Sequence, residues 1–391
     1  MNLNGNIMKK FISLAASLAV VCSVLSCGQT DVAPVEGSKM GFALSFVKSV
    51  DAVSPDGENV VVSPYSAGVA LSMLAEGAEG QTKVELDNAL NGCLFKGNDL
   101  TPSDSVTVSS ANSVWVDDDF SIRNHYVALL EKDYDALATT LNFADPATVH
   151  AINNWCSEHT QGKISDVFGK LPANAVMVLA NALYFKASWD TPFNARLTKD
   201  GVFHGVSGDQ TVRMMNRKGM YNYAEYQGAQ IIELPYSIED GYSMYVVLPP
   251  KDMKTKNLSQ YLNESVYRSA IDMLQPAEVK LSLPKMRLET SVSLNPVLKA
   301  MGVESAFTSA ADFKGITLSG PLSVSEAKQK CFIDVTENGT EAAAVTTITL
   351  SLTSFRPEIN VKVMNVDHPF LFFITDNKSD NVLFAGKIMN L

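Results

Sequence analysis

The 391-residue chain has only five histidines, His125, His150, His159, His204 and His368, and none falls in the HExxH spacing that would set two imidazoles around zinc on one helical face. Its five cysteines are equally sparse. Cys22 and Cys27 lie near the start, while Cys93, Cys156 and Cys331 form an odd set with neither metal-ligand spacing nor a disulfide framework. Gly-rich phosphate loops are missing, and Gly205-Val-Ser-Gly is one residue too short for a nucleophile elbow. Asp367-His368 sets an acid beside an imidazole, but Pro369-Phe370 follows in a strand-like context, so the pair reads as structural. These residues supply no enzyme, no metal site and no cofactor site, although a Ser/His/Asp site assembled from distant residues would leave no local motif. Basic residues are also short, 31 Lys+Arg against 42 Asp+Glu for a net charge of −11, and they do not cluster. That excludes a nucleic-acid partner, whose phosphates demand grouped cations.

One long apolar run is present, from Phe11 to Leu25, preceded by Met8-Lys9-Lys10 and followed by Ser26-Cys27-Gly28. It is shorter than the ~20 residues of a membrane span and reads as the core of a signal peptide over residues 1–27. Val24-Leu25-Ser26-Cys27 resembles the lipobox of bacterial lipoproteins, which implies that Cys27 carries the lipid; ordinary signal cleavage beside an incidental Cys is the alternative. Residues 28–37 are small and polar, suited to a tether. The expectation is an exported protein, lipid-anchored to the bacterial cell envelope at the outer membrane or cell surface, or else extracellular. Contact with the membrane is through the anchor alone. Residues 38–391 contain no Pro/Gly/Ser linker or charge run and read as one large domain.

Helical periodicity covers Met40 to Val50, Ser66 to Leu90 with Ser66 as N-cap, Arg123 to Asp133, Ala147 to His159 and Asn295 to Met301. Apolar, β-branched or aromatic runs of strand type occupy Val106 to Val116 and Met177 to Phe185. Further strands are predicted at Thr211 to Met215, Ala229 to Pro235, Tyr242 to Leu248, Val279 to Pro284, Ser323 to Val335, Lys362 to Val366, Phe370 to Asp376 and Val382 to Met389. Helices early and strands late, without βαβ alternation, indicate an α+β domain on large, mostly antiparallel sheets.

The segment after Gly339 departs from this regularity. Ile348, Leu350 and Leu352 alternate with Thr347, Thr349, Ser351 and Thr353 as in a half-buried strand, yet Thr340-Glu341-Ala342-Ala343-Ala344 makes a weak strand and a fair helix. Fourteen residues is also long for a strand, which usually has about five or six. The pattern suits a segment able to occupy more than one state.

Five separated motifs resemble those of the serpins, in the family's order: Val62-Ser63-Pro64-Tyr65-Ser66; Asn181-Ala-Leu-Tyr-Phe185-Lys186-Ala-Ser-Trp189; Leu283-Pro284-Lys285 with Gly302-Val303 and Ala306-Phe307; Glu337-Asn338-Gly339-Thr340-Glu341-Ala342-Ala343-Ala344; and Asp367-His368-Pro369-Phe370. The resemblance runs from about Met40 to Leu391. It implies three β-sheets, eight or nine helices and an exposed reactive-centre loop. It also implies a monomeric suicide-substrate inhibitor that traps a serine protease as a covalent acyl complex, by inserting the cut loop into the central sheet. Glu337, Gly339, Thr340, Glu341 and Ala342 to Ala344 would form the hinge where insertion begins. Ser63, Ser66 and Asn181 would belong to the shutter, a polar cluster under the strands that part. Gln329 stands where many members have a shutter His, and an amide cannot titrate. Trp189, Lys285 and Glu337 would form the breach, with a salt bridge between the last two.

Counting from Glu337 by the family's spacing puts the scissile bond between Thr353 and Ser354. A small Thr353 behind Leu350 and Leu352 suits the shallow primary pocket of elastase-like or subtilisin-like proteases, whereas Leu352 or Phe355 would suit a chymotrypsin-like enzyme. Two rival readings share these residues. One is a serpin that does not inhibit; the other is a surface lipoprotein that captures a ligand and carries the hinge unused.

Overall fold

The structure, a computed structural model, describes residues 37–253, 255–340 and 361–391. It opens with helix α1 (Lys39–Val53), strand β1 (Val60–Val62), and helices α2 (Pro64–Gly77) and α3 (Gly80–Ala89). The single helix expected from Ser66 to Leu90 is therefore two, broken at Ala78, whose backbone is extended at φ −94° and ψ 149°. Its N-cap is Ser63 and not Ser66. The Ser63 hydroxyl accepts from the Ser66 N–H, and Pro64 takes the first helical turn, where its missing N–H costs nothing.

Then come β2 (Val106–Asp117), α4 (Asn124–Tyr134), β3 (Leu137–Leu141), α5 (Ala147–His159), β4 (Met177–Ser188), β5 (Lys199–Gly205), β6 (Gly208–Tyr226), β7 (Ala229–Ser237) and β8 (Tyr242–Leu248). The remainder is α6 (Glu264–Asp272), β9 (Gln275–Pro284), β10 (Met286–Ser293), α7 (Leu294–Ala300), β11 (Glu326–Thr336), β12 (Gly339–Thr340), β13 (Lys362–Asn365), β14 (Phe370–Asp376) and β15 (Asn381–Ile388). Among the described residues there are seven α-helices, rather than eight or nine, with three short 3-10 segments beside them.

Hydrogen bonding joins these strands into two sheets where three were expected. The larger runs β1-β15-β14-β8-β7-β6-β9-β13, with β5 also on β6. The merger is due to β6, whose 19 residues pair in turn with β5, β9 and β7 and so stitch two smaller sheets into one path. The second sheet, β10-β11-β12-β4-β2-β3, is the one the loop would enter. Strands β14 and β15 are buried at every position, which is why residues 370–374 and 382–385 are continuous apolar runs instead of alternations.

Three apolar clusters hold the layers. One packs α1, α2 and α7 against the large sheet through residues such as Phe42, Val69, Val297 and Phe373. Another fills the space between the sheets with Phe185, Trp189, Ile232, Cys331 and Phe384. A third tucks Ile152 of α5, with Ile164 and Phe168 of the segment that follows it, onto Ala180 and Ala182 of β4 and Phe332 of β11.

Candidate functional site

β4 and β11 lie side by side in parallel over seven residue pairs, from Val178 with Glu326 to Tyr184 with Phe332. Beyond Tyr184 they part, and β12 fills the opening. Thr340 pairs with Ala187 of β4 and Val335 of β11, and Gly339 with Ser188 and Thr336, antiparallel on both sides. Gly339 and Thr340 of the hinge are thus already strand. Gly339 has φ +140°, and a Cβ there would fall 2.1 Å from the Ala187 carbonyl oxygen, so no other residue fits.

The turn into β12 is held on several sides. The Trp189 and Phe193 N–H groups donate to the carbonyls of Asn338 and Glu337, at 2.9 and 2.8 Å. The Trp189 indole donates to the Thr336 carbonyl at 2.9 Å and stacks on Tyr236, with ring centres 4.3 Å apart. Tyr236 in turn shares a 2.6 Å hydrogen bond with the fully buried Thr340 hydroxyl. Lys285 Nζ lies 2.7 Å from one Glu337 oxygen, and the Thr198 hydroxyl donates to the other at 2.8 Å. Burial pushes the Glu337 carboxyl up, but the Lys285 ammonium, a backbone N–H and the Thr198 hydroxyl outweigh it and hold the group below the ordinary carboxylate range.

A second polar cluster sits lower on the same seam. Gln329 of β11 clamps the backbone of Ser63 twice, its Oε1 accepting from the Ser63 N–H at 2.8 Å and its Nε2 donating to the Ser63 carbonyl at 2.9 Å. The other Nε2 hydrogen goes to Asn181 Oδ1 of β4, 2.6 Å away. Asn181 Nδ2 then donates to the carbonyl and hydroxyl of Ser66 at 2.8 and 2.6 Å and meets Asn112 Oδ1 of β2. All five side chains are at most 2 % exposed. One chain of amides therefore ties β11, β4 and β2 to the start of α2, and every group in it is paired, as burial requires.

Of the residues singled out from sequence, Ser63, Ser66, Asn181 and Gln329 meet in one cluster, and Trp189, Lys285, Glu337, Gly339 and Thr340 in the other. Glu341, Ala342, Ala343, Ala344, Leu352, Thr353, Ser354 and Phe355 lie outside the described residues, as does Cys27. Sequence reasoning missed Asn112, Tyr236 and Thr198. Asn112 left a signal, as an amide inside the apolar run Val106 to Val116. Thr198 left none, because it follows a 3-10 turn with no periodicity. Asp367 and His368 are structural: Nδ1 of the ring meets Asp367 at 2.8 Å and Nε2 meets the Pro249 carbonyl at 2.8 Å, leaving neither nitrogen for a hydroxyl.

The chain matches the family model described as serpin (serine protease inhibitor) over residues 38–391. It belongs to the serpin family. A serpin-like protein of Thermococcus kodakarensis is 34% identical over 373 residues, covering 91% of this chain and 86% of its own. Iripin-2 of the tick Ixodes ricinus is 32% identical across 98% of this serpin and 99% of its own length. Among solved structures, the native state of the thermophilic serpin tengpin superposes with a TM-score of 0.82 at 29% identity, covering 90% of this chain and 94% of its own. Thyroxine-binding globulin, in complex with its hormone, superposes at 0.79, covering 90% of this chain and 99% of its own; at 22% identity it speaks for the fold alone.

Proposed function

We propose that this serpin is a suicide-substrate inhibitor of serine proteases, elastase-like or subtilisin-like by preference, which it traps by strand insertion between β4 and β11. The observation that carries the reading is β12, a strand of two residues already paired on both sides. Prolonged in the same register, residues 341–350 run antiparallel along β4 from Lys186 to Met177, and residues 341–349 along β11 from Asp334 to Glu326. Thr346 would then arrive between Asn181 and Gln329, whose mutual bond has to open. Thr340 faces the buried Tyr236, so Ala342, Ala344, Thr346, Ile348, Leu350 and Leu352 follow it inward by alternation.

Insertion exchanges one parallel ladder for two antiparallel ones, and antiparallel pairing is the stronger per residue. At ~0.5–1.5 kcal/mol net per bond, a strand of this length gains on the order of 10 kcal/mol. Small side chains enter first, which limits the packing that must be disturbed at the start.

The chemistry is that of an interrupted proteolysis. The protease serine attacks the Thr353 carbonyl, the bond to Ser354 breaks, and Ser354 leaves with its amine as a new chain start. Thr353 stays esterified to the serine. It lies 13 residues past Thr340, and at ~3.3 Å per residue the protease is carried roughly 43 Å, off the end of β4. To test this, the protein is mixed with pancreatic elastase and with subtilisin, followed by a denaturing gel and terminal mapping. A stable complex and a new terminus at Ser354 are expected; cleavage with no complex by any serine protease tried would overturn the reading.

The same proposal has the protein exported and held to the envelope only through lipid on Cys27. Cys27→Ser should shift it from the detergent phase to the aqueous phase on partition, and identical partition of the two would remove the anchor.

A further inference from the structure

Near both ends of the reactive loop lies a surface that shares Trp189 and Phe193 with the turn into β12 and extends beyond them to residues for which insertion gives no role. It surrounds a cavity of about 200 Å³ whose walls include Trp189, Phe193 and Leu234. Met220 and Ile238 line it too, and they are among the most exposed large apolar side chains described, at 63% and 68%. Arg217 stiffens the floor: its guanidinium stacks over Tyr221 and Phe193 and bonds the Thr191 carbonyl.

Its position relates it to the loop at both ends. On the departing side, the Trp189 N–H holds the Asn338 carbonyl, and the Asp190 N–H holds the Pro235 carbonyl three residues before Ile238. On the returning side, Gly219 pairs with Val279 of β9, which pairs with Lys362 of β13. Met220 is therefore about two strand spacings, ~9.5 Å, from the point where the loop rejoins the fold. Thr353 is nine residues from Lys362, a reach of no more than ~30 Å. A protease domain of about 250 residues has a radius of gyration near ~18 Å, so one held on that bond is large enough to reach this surface.

We propose that this surface is a second contact for the target protease, an extension of the proposed inhibitory reading and dependent on it. Exposed apolar side chains around a cavity are a feature of binding surfaces rather than of free ones. The exposed carboxylate of Asp190 in its wall and that of Glu239, next in sequence to Ile238, on a chain of net charge −11, fit a protease loop that presents one large apolar side chain beside a basic residue. Such a contact acts on encounter and not on insertion. It selects among proteases that would cut the same loop sequence.

The test is the association rate constant and the stoichiometry of inhibition, measured for a protease that forms the covalent complex. The variants are M220E/I238E, the milder M220S/I238S and, as control, Leu318→Glu, since Leu318 is 71% exposed but lies beside the Ile122–Thr317 bridge toward the far end of the sheet. The association rate should fall about tenfold for M220E/I238E and about threefold for M220S/I238S. The stoichiometry, and cleavage of a free peptide spanning residues 346–358 by the same protease, should not move. Rates within twofold of the parent for both double variants, or an equal fall for Leu318→Glu, would overturn the second contact while leaving inhibition intact. Absence of a covalent complex with the parent protein would instead defeat the inhibitory reading, and this proposal with it.

Discussion

The Thr340 hydroxyl is 2.6 Å from that of Tyr236, and neither side chain is exposed by more than 2 %. This bond fixes the face on which every later residue of an inserting strand must lie. Thr340→Arg would drive a cation into that closed space, at a cost that expels β12 from the sheet. The variant should be cleaved at the parent rate yet form no stable complex. A complex yield equal to that of the parent would refute entry at this point.

Gly339→Ala tests the same step through the backbone. Its Cβ would overlap the Ala187 carbonyl, and φ +140° is strained for any L side chain. Loss of β12 pairing should raise the stoichiometry of inhibition severalfold and speed hydrogen exchange at Thr340. Unchanged exchange at Thr340 would argue that β12 does not depend on this glycine.

Gln329→Ala leaves the Ser63 N–H and Asn181 Oδ1 without partners, both buried, while the Ser63 carbonyl keeps its bond from the Ala67 N–H. At ~1–3 kcal/mol for an unsatisfied buried group, the loss of stability should be about 3 kcal/mol by denaturant unfolding. Gln329→His should add a pH dependence that the amide cannot have. A buried neutral imidazole must charge in acid, so the variant should lose stability relative to the parent as pH falls through about 6.5. A parent-minus-variant difference that stays flat between pH 5 and 8 would contradict this.

The Glu337 carboxyl is held below its ordinary range, and the sign of the consequence follows. Its contribution to stability is complete above the unfolded value, roughly 4.3, and is lost as pH falls through the lower folded value. Comparing the parent with Glu337→Gln by thermal midpoint from pH 3 to 7 should show a gap at neutral pH that closes toward pH 3. A gap of constant size would mean that the Lys285 pair does not anchor the turn.

Much of this arrangement could be read in the sequence because local pattern and burial agree there. Residues 370–374 form an unbroken apolar run and residues 177–185 one interrupted only by Asn181, and both are buried on both faces. Strands β5 and β10 escaped notice although each lies on an edge of its sheet: β5 alternates weakly, while β10 alternates strictly but buries only Met286 fully. The break at Ala78 was hidden for a related reason: apolar periodicity continues through it, while the chain turns to let α3 pack separately. Tyr236 gave no sign of its role, being one aromatic among many until Thr340 is placed against it.

By itself the sequence determined the kind of protein. Spacing among five motifs identifies the family, and the small residues from Ala342 to Ala344 with the alternating Ile348, Leu350 and Leu352 carry the pattern on which the insertion proposal rests. Those are local properties, written in side-chain size and period. The tertiary structure decided that Gly339 and Thr340 pair between β4 and β11. Only folding brings Tyr236, Trp189 and Lys285 around β12, and only the parallel contact of β4 with β11 below it leaves a seam closed by Gln329 and Asn181. These pairings join residues from 52 to 266 positions apart, a separation over which no local pattern carries information.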